Sequence, residues 1–469
     1  MAKNKPANPG TLSRAELEER IRSGAIETVL TVFPDLYGRL IGKRITGRFF
    51  LEQVAEHGMH ACDYLLACDM EMDPVPGYRF TSWDTGYGDF LCKPDFSTLR
   101  VANWLETSAI VLCDLFDEMT GEPVAIAPRE VLKRQVARAR EAGYVPMGGS
   151  ELEFFVLRET YASAGAKHYE GLETFGSYIE DYHILQGTKV EPLVGTIRRH
   201  LEASGIPVEF SKGEWGPGQQ EINLRFCDVL EMADRHVLYK NAAKEIAHAQ
   251  ELAITFMAKW NAAYAGSSCH IHMSLWDAPD ARRSLFGGDG DPIPGTRARL
   301  SPLFRNWLGG LLAHARALTL FMAPYVNSYK RFMPGTFAPT AIGWSYDNRT
   351  TGFRLVGHDQ SLRVECRIPG ADANPYLAFA ALLAAGLDGI ERKLEPPEIF
   401  VGNLYEAENV PQLPRTLAEA IELAESSTML RQALGDAVLD HYLHFARTEK
   451  RKFDEAVTTW ELARFMERA

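Results

Sequence analysis

The stretch RVECRIP, at residues 363–369, alternates charged with apolar side chains. Neighbouring side chains of an extended strand point to opposite faces, so Arg363, Glu365 and Arg367 would share one face and the apolar residues the other. The same alternation recurs in SELEFFV at 150–156, EINLRF at 221–226 and SCHIHMSL at 268–275. Together these segments predict an antiparallel sheet with one apolar face and one strongly polar face.

The polar face of this sheet has two interpretations. Antiparallel sheets commonly turn one face to water. Water-facing strands, however, usually mix Lys, Thr, Ser and Gln, whereas these faces carry almost only Glu, His and Arg. If the four faces converge, they form a cavity whose buried charges require neutralisation by metal ions and anionic ligands.

The residue types in this cavity indicate its ligands. Carboxylates with a histidine suit a hard or borderline ion such as Mg²⁺ or Mn²⁺ better than zinc. Such ions often bind together with substrate phosphates, and arginine donates paired hydrogen bonds to phosphate and carboxylate groups. Glu365 would hold a metal ion, while Arg363 and Arg367 hold anions on either side of it. The pattern therefore favours a phosphoryl-transfer site.

Length and composition are those of a globular protein with more than one domain. The chain has 469 residues, of which 46% are hydrophobic and 24% are charged. A formal net charge of -12 argues against nucleic acid or an anionic membrane surface as the main partner. The polar start MAKNKPANPG, the lack of any run of about 18 apolar residues and seven cysteines without a CxxC pair predict a cytoplasmic protein with reduced thiols.

Periodicity and turn residues divide the chain into three parts. We predict a disordered leader at residues 1–12, a small β-rich domain at 13–120 and a large α+β domain at 121–469. A short helix and a hairpin in TVLTVFPDLYGRLIGKRI open the small domain. The large domain begins with a helix that has Pro128 in its first turn and Gly143 just past its end.

Five motifs, in their order along the chain, resemble the glutamine synthetase family. They are SELEFF, PGQQE, CHIHMS, NSYKRFMPG and RVECRIPGADANPYLAFAALLAAGLDGIE, and the resemblance covers nearly the whole chain. It implies an α+β fold, in which a β-grasp-like amino-terminal domain precedes a large catalytic domain built on a curved antiparallel sheet with flanking helices. It also implies a homo-oligomer, a double-ring dodecamer with active sites between neighbouring subunits. The pattern resembles most the branch of γ-glutamyl-amine synthetases, which act on polyamines or ethanolamine.

The resemblance also implies a role for each motif residue. One metal site would consist of Glu153, Glu214 and Glu221, and a second of Glu151, His270 and Glu365, with two or three Mg²⁺ or Mn²⁺ ions in all. The positions that match contacts with ATP are Phe226, His272, Ser274, Arg354 and Arg363. The positions that match contacts with glutamate are Gly266, Arg331 and Arg367. Arg349 matches a catalytic arginine that stabilises the phosphoryl group during transfer.

The implied reaction has two steps. ATP first phosphorylates the γ-carboxylate of glutamate, because a carboxylate is a poor acyl donor until it carries a leaving group. An amine then attacks the γ-glutamyl phosphate and forms an amide. Metal ions and arginines would offset the charge on the moving phosphoryl group. Water must be excluded, since it would hydrolyse the acyl phosphate.

The amine pocket departs from the pattern of the ammonia-using members. In those enzymes a Glu follows the SYKR arginine by six residues, and the matching position here is Phe337. A phenyl ring can neither bind ammonium by charge nor accept its proton. The catalytic Asp of the ammonia site matches Asp63, which would reach the site of an adjacent subunit and is followed by bulky Tyr64. With Trp215 as a further candidate for the pocket, we predict an organic amine as the acceptor instead of ammonia.

Two alternatives stay open at this point. The first is a true glutamine synthetase that uses ammonia with another base, if Phe337 is a neutral local substitution. The second belongs to a different class, a non-catalytic structural oligomer of the same fold. Loss of activity usually removes metal carboxylates, and all five glutamates remain here together with His270.

Overall fold

The computed structural model describes residues 9–469, whose strands form two sheets. The strands of the first sheet are β1 (Thr28–Pro34), β2 (Leu40–Thr46), β3 (Met59–Cys62), β4 (Asp89–Pro94), β5 (Arg100–Val101) and β6 (Ser108–Asp117). Their order is β2-β1-β6-β4-β3, with β5 paired to β6. β1 pairs antiparallel with β2 and parallel with β6, so the amino-terminal domain has a mixed sheet.

Packed structure begins before the predicted end of the leader. Residues 1–8 of the predicted disordered leader lie outside the described residues. Thr11 forms a β-bridge with Arg100, and the N–H of Leu12 donates to Leu99 O at 3.0 Å. The side chain of Leu12 is buried in the core of the amino-terminal domain. Because this leucine removes apolar surface from water, residues 11 and 12 belong to that domain and not to a leader.

The hairpin of β1 and β2 forms as the sequence predicts. Asp35 Oδ1 closes its turn by accepting the main-chain N–H groups of Tyr37 at 2.9 Å and Arg39 at 2.8 Å. Asn374, from the large domain, donates through Nδ2 to Leu36 O at 3.0 Å. The turn therefore ties the two domains together.

The second sheet contains all four alternating segments. Its strands are β7 (Tyr144–Leu157), β8 (Val208–Gly213), β9 (Gln219–Leu224), β10 (Cys227–Asp228), β11 (Ala253–Thr255), β12 (Cys269–Asp277), β13 (Trp344–Tyr346), β14 (Phe353–Val356) and β15 (Arg363–Cys366). The order is β13-β14-β15-β12-β7-β9-β8, and β10 and β11 also pair with β7. The pairs are antiparallel except β13 with β14, which is parallel. The predicted convergence in one sheet is confirmed, because β15, β12, β7 and β9 are consecutive neighbours.

Helices pack around both sheets. They are α1 (Arg14–Arg22), α2 (Gly47–Phe49), α3 (Ala55–His57), α4 (Pro128–Glu141), α5 (Tyr161–Ala166), α6 (Ile184–Ala203), α7 (Val229–Ala249), α8 (Pro302–Met322), α9 (Pro375–Arg392), α10 (Leu417–Glu425), α11 (Thr428–Leu434), α12 (Asp436–Glu455) and α13 (Thr459–Phe465). α4 begins at Pro128 as predicted. Over residues 9–469, no helix combines the length and the apolar character that crossing a bilayer requires.

α8 and α9 pack closely against each other. Trp307 of α8 is fully buried, and a Cβ atom at Gly386 of α9 would overlap its indole ring. Glycine is therefore required at that position.

A buried ion-pair cluster also joins the two domains. Arg129 of α4 is 3% exposed and donates to Asp234 of α7 from Nε at 3.0 Å and from Nη2 at 2.9 Å. In the amino-terminal domain it donates to Asp95 at 2.8 Å and Asp114 at 2.5 Å. Burial opposes the charged form of Arg129, but the carboxylates outweigh burial and raise its pKa. The guanidinium is thus a charged link between the domains.

Replacement of Arg129 should destabilise the protein. Arg129→Met leaves Asp234 buried without its cation, so we expect the free energy of unfolding to fall by roughly 3–5 kcal/mol. Urea denaturation, followed by tryptophan fluorescence at fixed protein concentration, measures this loss. Arg134→Met is the matched control, because Arg134 lies on the same helix, is half-exposed and pairs with Glu130 at 3.4 Å. The control should change stability by about 0.5 kcal/mol or less; equal losses in both variants would contradict the prediction.

Candidate active site

Strand register places the polar side chains of the alternating segments side by side. The facing pairs are His270 with Glu151 between β12 and β7, His272 with Glu365 between β12 and β15, and Glu153 with Glu221 between β7 and β9. Directly opposed side chains of neighbouring strands lie within contact distance. The register therefore turns four separate patterns in the sequence into one polar patch.

One part of this patch is a group of carboxylates. Glu153, Glu214 and Glu221 each contribute one oxygen to a set of three that lie within 4.8 Å of one another. Burial, and then the charge of Glu214, raise the pKa of Glu153 to about 8. Burial, followed by the charges of Glu151 and Glu214, raises the pKa of Glu221 well above its ordinary value. Carboxylates crowded in this way repel one another when ionised, and a proton or a nearby cation relieves that repulsion.

Lys212 of β8 supplies part of that positive charge. Its Nζ pairs with Glu214 and lies 3.8 Å from Oε2 of Glu221. Burial opposes the charge of Lys212, but the two carboxylates outweigh burial and raise its pKa. A single ammonium group does not balance three carboxylates, so the group of glutamates still fits a divalent ion.

The second part of the patch combines glutamates with imidazoles. His270 Nδ1 lies 3.2 Å from Glu151 Oε2 and 3.5 Å from Glu365 Oε1. The Nε2 atom of His270 is buried and has no hydrogen-bond partner within residues 9–469. His272, which the sequence assigns to ATP, also joins this group, because its Nε2 lies 2.8 Å from Glu151 Oε1. The predicted His270 thus lies beside both glutamates. The three donor atoms that lie within 4.8 Å of one another, however, belong to Glu151, His272 and Glu365.

Both glutamates of this second part are held in the ionised form. Burial raises the pKa of Glu151, but the imidazoles of His272 and His270 outweigh burial and bring it well below its ordinary range. Burial likewise raises the pKa of Glu365, but Arg367 and then the two imidazoles lower it to about 2. Burial and the charge of Arg367 lower the pKa of His270, so its imidazole is neutral at pH 7 and able to bind a metal ion.

Arginines surround the carboxylate of Glu365. Arg354 Nη1 donates to Glu365 Oε2 at 2.8 Å, and Arg367 pairs with Oε1 of the same carboxylate. Arg363 Nε donates to His272 Nδ1 at 3.1 Å. The alternating charges of β15 therefore face the polar patch and not bulk water.

Arg331, which is predicted to contact glutamate, donates to main-chain oxygens in this structure. It is 1% exposed, and its guanidinium donates to the main-chain oxygens of Arg367 at 2.8 Å, Ile368 at 2.9 Å and Pro369 at 3.1 Å. It does not line the cavity described below, although Gly266 and Arg367 do. The predicted contact of Arg331 with glutamate stays a prediction. In this structure Arg331 supports the segment after β15.

Two adjoining cavities open onto the polar patch. The first encloses about 340 Å³, and its lining includes four of the five residues predicted to contact ATP, namely Phe226, His272, Ser274 and Arg363. The fifth, Arg354, lines the second cavity instead. Trp276 also lines it, and its ring stacks on that of Phe226 with 6.4 Å between centroids. The second cavity encloses about 460 Å³ and contains both groups of carboxylates. Glu151, Phe210 and Asn223 line both cavities, which are therefore direct neighbours.

Guanidinium groups line the second cavity together with the carboxylates. Arg354 and Arg367 are there, and Arg349 reaches it from the turn between β13 and β14. Arg349 is exposed and has no ion pair among residues 9–469. A free guanidinium beside crowded carboxylates is suited to a polyanion that arrives with metal ions.

Comparison with known families agrees with this geometry. The family model of the glutamine synthetase catalytic domain matches residues 125–465. The chain belongs to the glutamine synthetase family. Family membership confirms the resemblance found in the motifs and accounts for the shared arrangement of glutamates, histidines and arginines.

Relatives in the glutamine synthetase family extend over almost the full chain. A γ-glutamylethanolamide synthetase, GlnA4, from Streptomyces coelicolor is 48% identical over 97% of this chain and 95% of its own length. A glutamate–isopropylamine ligase from a Pseudomonas species is 35% identical over 96% of this chain and 97% of its own length. A solved structure of GmaS without ligand has a TM-score of 0.83 at 30% identity, covering 97% of this chain and 100% of that chain. The predicted α+β fold is thereby confirmed.

Phe337 and Trp215, the residues predicted to line the amine pocket, form an aromatic pair. The rings of Trp215 and Phe337 meet edge to face with centroids 5.5 Å apart, and both side chains line the second cavity. They are 44% and 45% exposed. Arg367 Nη2 donates to Phe337 O at 3.2 Å, which holds this residue beside the glutamates. The cavity therefore has an apolar wall next to its charged groups.

Asp63 and Tyr64 lie outside both cavities. They begin a short 3-10 helix in the amino-terminal domain, where Asp63 Oδ1 accepts a hydrogen bond from Thr81 at 2.6 Å. Burial, partly opposed by this hydrogen bond, raises the pKa of Asp63. Within residues 9–469 of a single chain they do not meet the other predicted site residues, so their contribution to the site of a neighbouring subunit stays a prediction.

Two residues that the sequence reasoning missed also line the second cavity. They are Asp181 and Tyr182, in the segment that precedes α6. The N–H of Asp181 donates to Glu214 O at 3.0 Å, and that of Tyr182 donates to Gly213 O at 3.3 Å. These contacts join segments more than thirty residues apart. The sequence signal is limited to an acid and an aromatic residue in a polar loop.

Proposed function

We propose that this protein is an ATP-dependent ligase that joins the γ-carboxylate of glutamate to a small organic amine through a γ-glutamyl phosphate. The observation that carries the proposal is the aromatic pair of Trp215 and Phe337 beside an intact set of carboxylates and arginines. An apolar wall favours the hydrocarbon part of an amine, which ammonia lacks. The relatives named for ethanolamide and isopropylamine chemistry support the same choice.

The donor atoms fit divalent metal ions. Carboxylate oxygens and a neutral imidazole are ligands that Mg²⁺ and Mn²⁺ accept. Two features call for a cation, namely the raised pKa of Glu153 and the partnerless Nε2 of His270. Glu153, Glu214 and Glu221 would hold one ion, and Glu151, His270 and Glu365 a second. When bound, such ions stabilise negative charge on the transferring phosphoryl group.

In the first step, the chain's residues bring two anions together. ATP lies in the first cavity, with its base near Phe226 and Trp276 and its phosphates directed at Arg363. Glutamate lies in the second cavity beside Gly266 and Arg367. A γ-carboxylate oxygen attacks the terminal phosphorus, and the bond from that phosphorus to ADP breaks. Arginines offset the charge that develops between the two anions.

In the second step, the amine replaces the phosphate. The ammonium form first gives one proton to water, and its nitrogen then forms a bond to the γ-carbon. The C–O bond to phosphate breaks, and a second proton from the nitrogen goes to the departing phosphate, which leaves as hydrogen phosphate. The aromatic wall of Trp215 and Phe337 holds the amine's hydrocarbon part and reduces the space for water. Exclusion of water matters because hydrolysis of the acyl phosphate would waste ATP.

In this proposal the functional unit is a homo-oligomer, and the resemblance implies a dodecamer. We place the protein in the cytoplasm. The terminal helix α13 supports assembly, because it leaves Trp460, Phe465 and Met466 63%, 47% and 75% exposed. A site shared between subunits would also give Asp63 a role. The seven free cysteines fit a reducing compartment. Size-exclusion chromatography with light scattering measures the number of subunits.

A steady-state assay with ATP, glutamate and a panel of amines tests the proposed reaction. Ethanolamine, isopropylamine, n-butylamine, putrescine and ammonia are compared through kcat/KM, with ADP and the amide product measured separately. We expect an organic amine to be the best acceptor. Ammonia as the best acceptor by a wide margin would identify a glutamine synthetase. If none of the amines, ammonia included, supports metal-dependent ATP turnover, the result would favour a non-catalytic oligomer.

Substitution of Phe337 should shift the choice of acceptor. In Phe337→Glu, a carboxylate replaces the apolar wall, so we expect kcat/KM for the best organic amine to fall by roughly 100-fold, about 3 kcal/mol. The ratio of ammonia to organic amine use should rise, because the new carboxylate attracts ammonium. Phe337→Leu is the matched variant, since it keeps an apolar side chain and should retain the organic amine as acceptor. An unchanged ratio in Phe337→Glu would contradict the assignment of this wall.

A further inference from the structure

We infer that residues 402–405 form a positioning brace for two parts of the second cavity. The brace holds the Phe337 loop (residues 332–340), so that the γ-glutamyl phosphate meets the amine instead of water, and it holds the turn that carries Arg349. This inference rests on the proposed ligase function and concerns how ATP use stays coupled to amide formation. Neither the motifs nor the names of the relatives assign a role to this segment.

Tyr405 fixes the Phe337 loop. Its hydroxyl donates to Ala338 O at 2.9 Å, and Arg367 Nη2 donates to the preceding oxygen, Phe337 O, at 3.2 Å. Two consecutive main-chain oxygens of the loop are therefore held by side chains from outside it. Phe337 has a φ of 60°, a left-handed conformation that bulky residues rarely adopt. Such a conformation persists only where the surrounding structure holds it.

Tyr405 is itself well fixed. It lies in the short 3-10 helix Leu404–Glu406, where Asn403 Oδ1 accepts the N–H of Tyr405 at 3.2 Å. The side chain of Leu404 is buried against Gly343, at which a Cβ atom would lie only 3.1 Å from it. Burial, partly opposed by the charges of nearby arginines, raises the pKa of Tyr405, so its hydroxyl stays protonated and donates at neutral pH.

The other end of the brace holds the turn between β13 and β14. Asn348 Nδ2 donates to Gly402 O at 2.8 Å, and the N–H of Leu404 donates to Thr350 Oγ1 at 3.0 Å. Thr350 Oγ1 in turn donates to Asn348 Oδ1 at 2.7 Å. Both neighbours of Arg349 are thus bonded to the brace, and the exposed guanidinium between them depends on the turn for its direction into the cavity.

Hydrolysis is the reaction that a held loop opposes. A water oxygen forms a bond to the γ-carbon, and the C–O bond to phosphate breaks. One proton of the water goes to the departing phosphate and the other to the solvent, so glutamate and hydrogen phosphate leave and ATP is consumed without amide. Thr336 and Phe337 line the second cavity, so release of the loop at Ala338 would give water more room beside the acyl phosphate.

Tyr405→Phe tests the contact with the loop, because it keeps the ring and removes the donor. ADP and amide are measured in the same reaction with ATP, glutamate and the best acceptor of the amine panel. We expect the wild type to form nearly as much amide as ADP. In the variant, amide per ADP should fall by at least about threefold, while the rate of ADP formation changes by less than about threefold.

Tyr161→Phe is the matched control, since Tyr161 donates to the main-chain oxygen of Ile254 at 3.2 Å and lines neither cavity. It should leave amide per ADP unchanged. Parallel losses of ADP and amide in Tyr405→Phe would indicate general damage and overturn the role of the hydroxyl, as would an unchanged ratio. A wild type that forms little amide per ADP would also overturn it. If no amine supports formation of ADP, the proposed function itself fails.

Thr350→Val tests the contact with the turn. In a single turnover without amine, formation of ADP should slow by about tenfold or more, while amide per ADP in the steady state stays as in the wild type. In an Arg349→Met background the same substitution should add little, because the brace acts through Arg349.

Thr120→Val is the control for this variant, because Thr120 has the same pattern of bonds in another loop. Its Oγ1 donates to Asp117 Oδ1 at 2.9 Å and accepts the N–H of Glu122 at 3.3 Å, and it lines neither cavity. Unchanged formation of ADP in Thr350→Val would overturn the contact with the turn. An equal further loss in the Arg349→Met background would overturn it as well, since the effect would then not pass through Arg349.

Discussion

Replacing Glu221 with Gln should lower the rate of ATP-dependent ligation by roughly 1000-fold, which corresponds to several kcal/mol of lost transition-state stabilisation. Glu221 lies with Glu153 and Glu214 in the crowded group of carboxylates. An amide keeps the shape of the side chain but removes the charge that a divalent ion requires. Affinity for Mn²⁺, measured by calorimetry on the purified protein, should fall together with the activity.

The stability of metal-free Glu221→Gln should rise, although its activity falls. In metal-free protein, Glu153 titrates at about 8 instead of 4.5, because burial and Glu214 disfavour its charge. The folded state then keeps a proton that the unfolded state has lost, so stability falls as the pH rises from about 4.5 to about 8. Burial and like charges shift the pKa of Glu221 upward in the same way. With EDTA present, Glu221→Gln should therefore melt at a higher temperature than the wild type, and the difference should grow with pH.

A matched control separates the metal role from loss of any partly buried glutamate. Glu231 pairs with Arg235 at 2.8 Å and with Arg100 at 3.4 Å, and it lines neither cavity. Glu231→Gln should keep its activity and its affinity for Mn²⁺, and it should gain no stability in EDTA. If Glu221→Gln binds Mn²⁺ as tightly as the wild type does, then Glu153, Glu214 and Glu221 are not a metal site.

The alternation of charged and apolar residues was enough to predict the centre of the site. Glu151, His270 and Glu365 share a face because the side-chain period of a strand is two, and neighbouring strands then place those faces together. The predicted face also explains the buried opposite sides of these strands, such as Cys269 and Cys366. Periodicity therefore recovers the residues that sit within strands.

Residues on loops could not be recovered in the same way. Asp181 and Tyr182 reach the cavity through main-chain bonds to the Gly213–Glu214 region, and no local pattern encodes a contact across that distance. The sequence also does not show which main-chain groups a side chain contacts. Arg331 donates to three main-chain carbonyls after β15, and the motif does not predict these bonds. Loop geometry depends on such long-range partners, whereas strand geometry depends mainly on the residues themselves.

Replacing Arg349 with Met should also lower kcat by roughly 1000-fold, the range found when an arginine that stabilises phosphoryl transfer is lost. Arg349 is exposed, lines the second cavity and has no ion pair among the described residues, so its charge is available to a ligand. Methionine keeps most of the side-chain volume without the charge. KM for glutamate should change little, because the arginine acts mainly on charge that develops during transfer.

Formation of ADP in a single turnover without amine isolates the first step, and this step should show the full loss in Arg349→Met. Arg349→Lys distinguishes a planar, paired donor from a point charge: a lysine that restores little activity indicates that two hydrogen bonds to one group are required. Arg297→Met is the control, since Arg297 is exposed in a loop and lines neither cavity. A large rise in KM for glutamate with unchanged ADP formation at saturation would place Arg349 in substrate binding, because only an interaction made in the transition state lowers the rate of a fully bound complex.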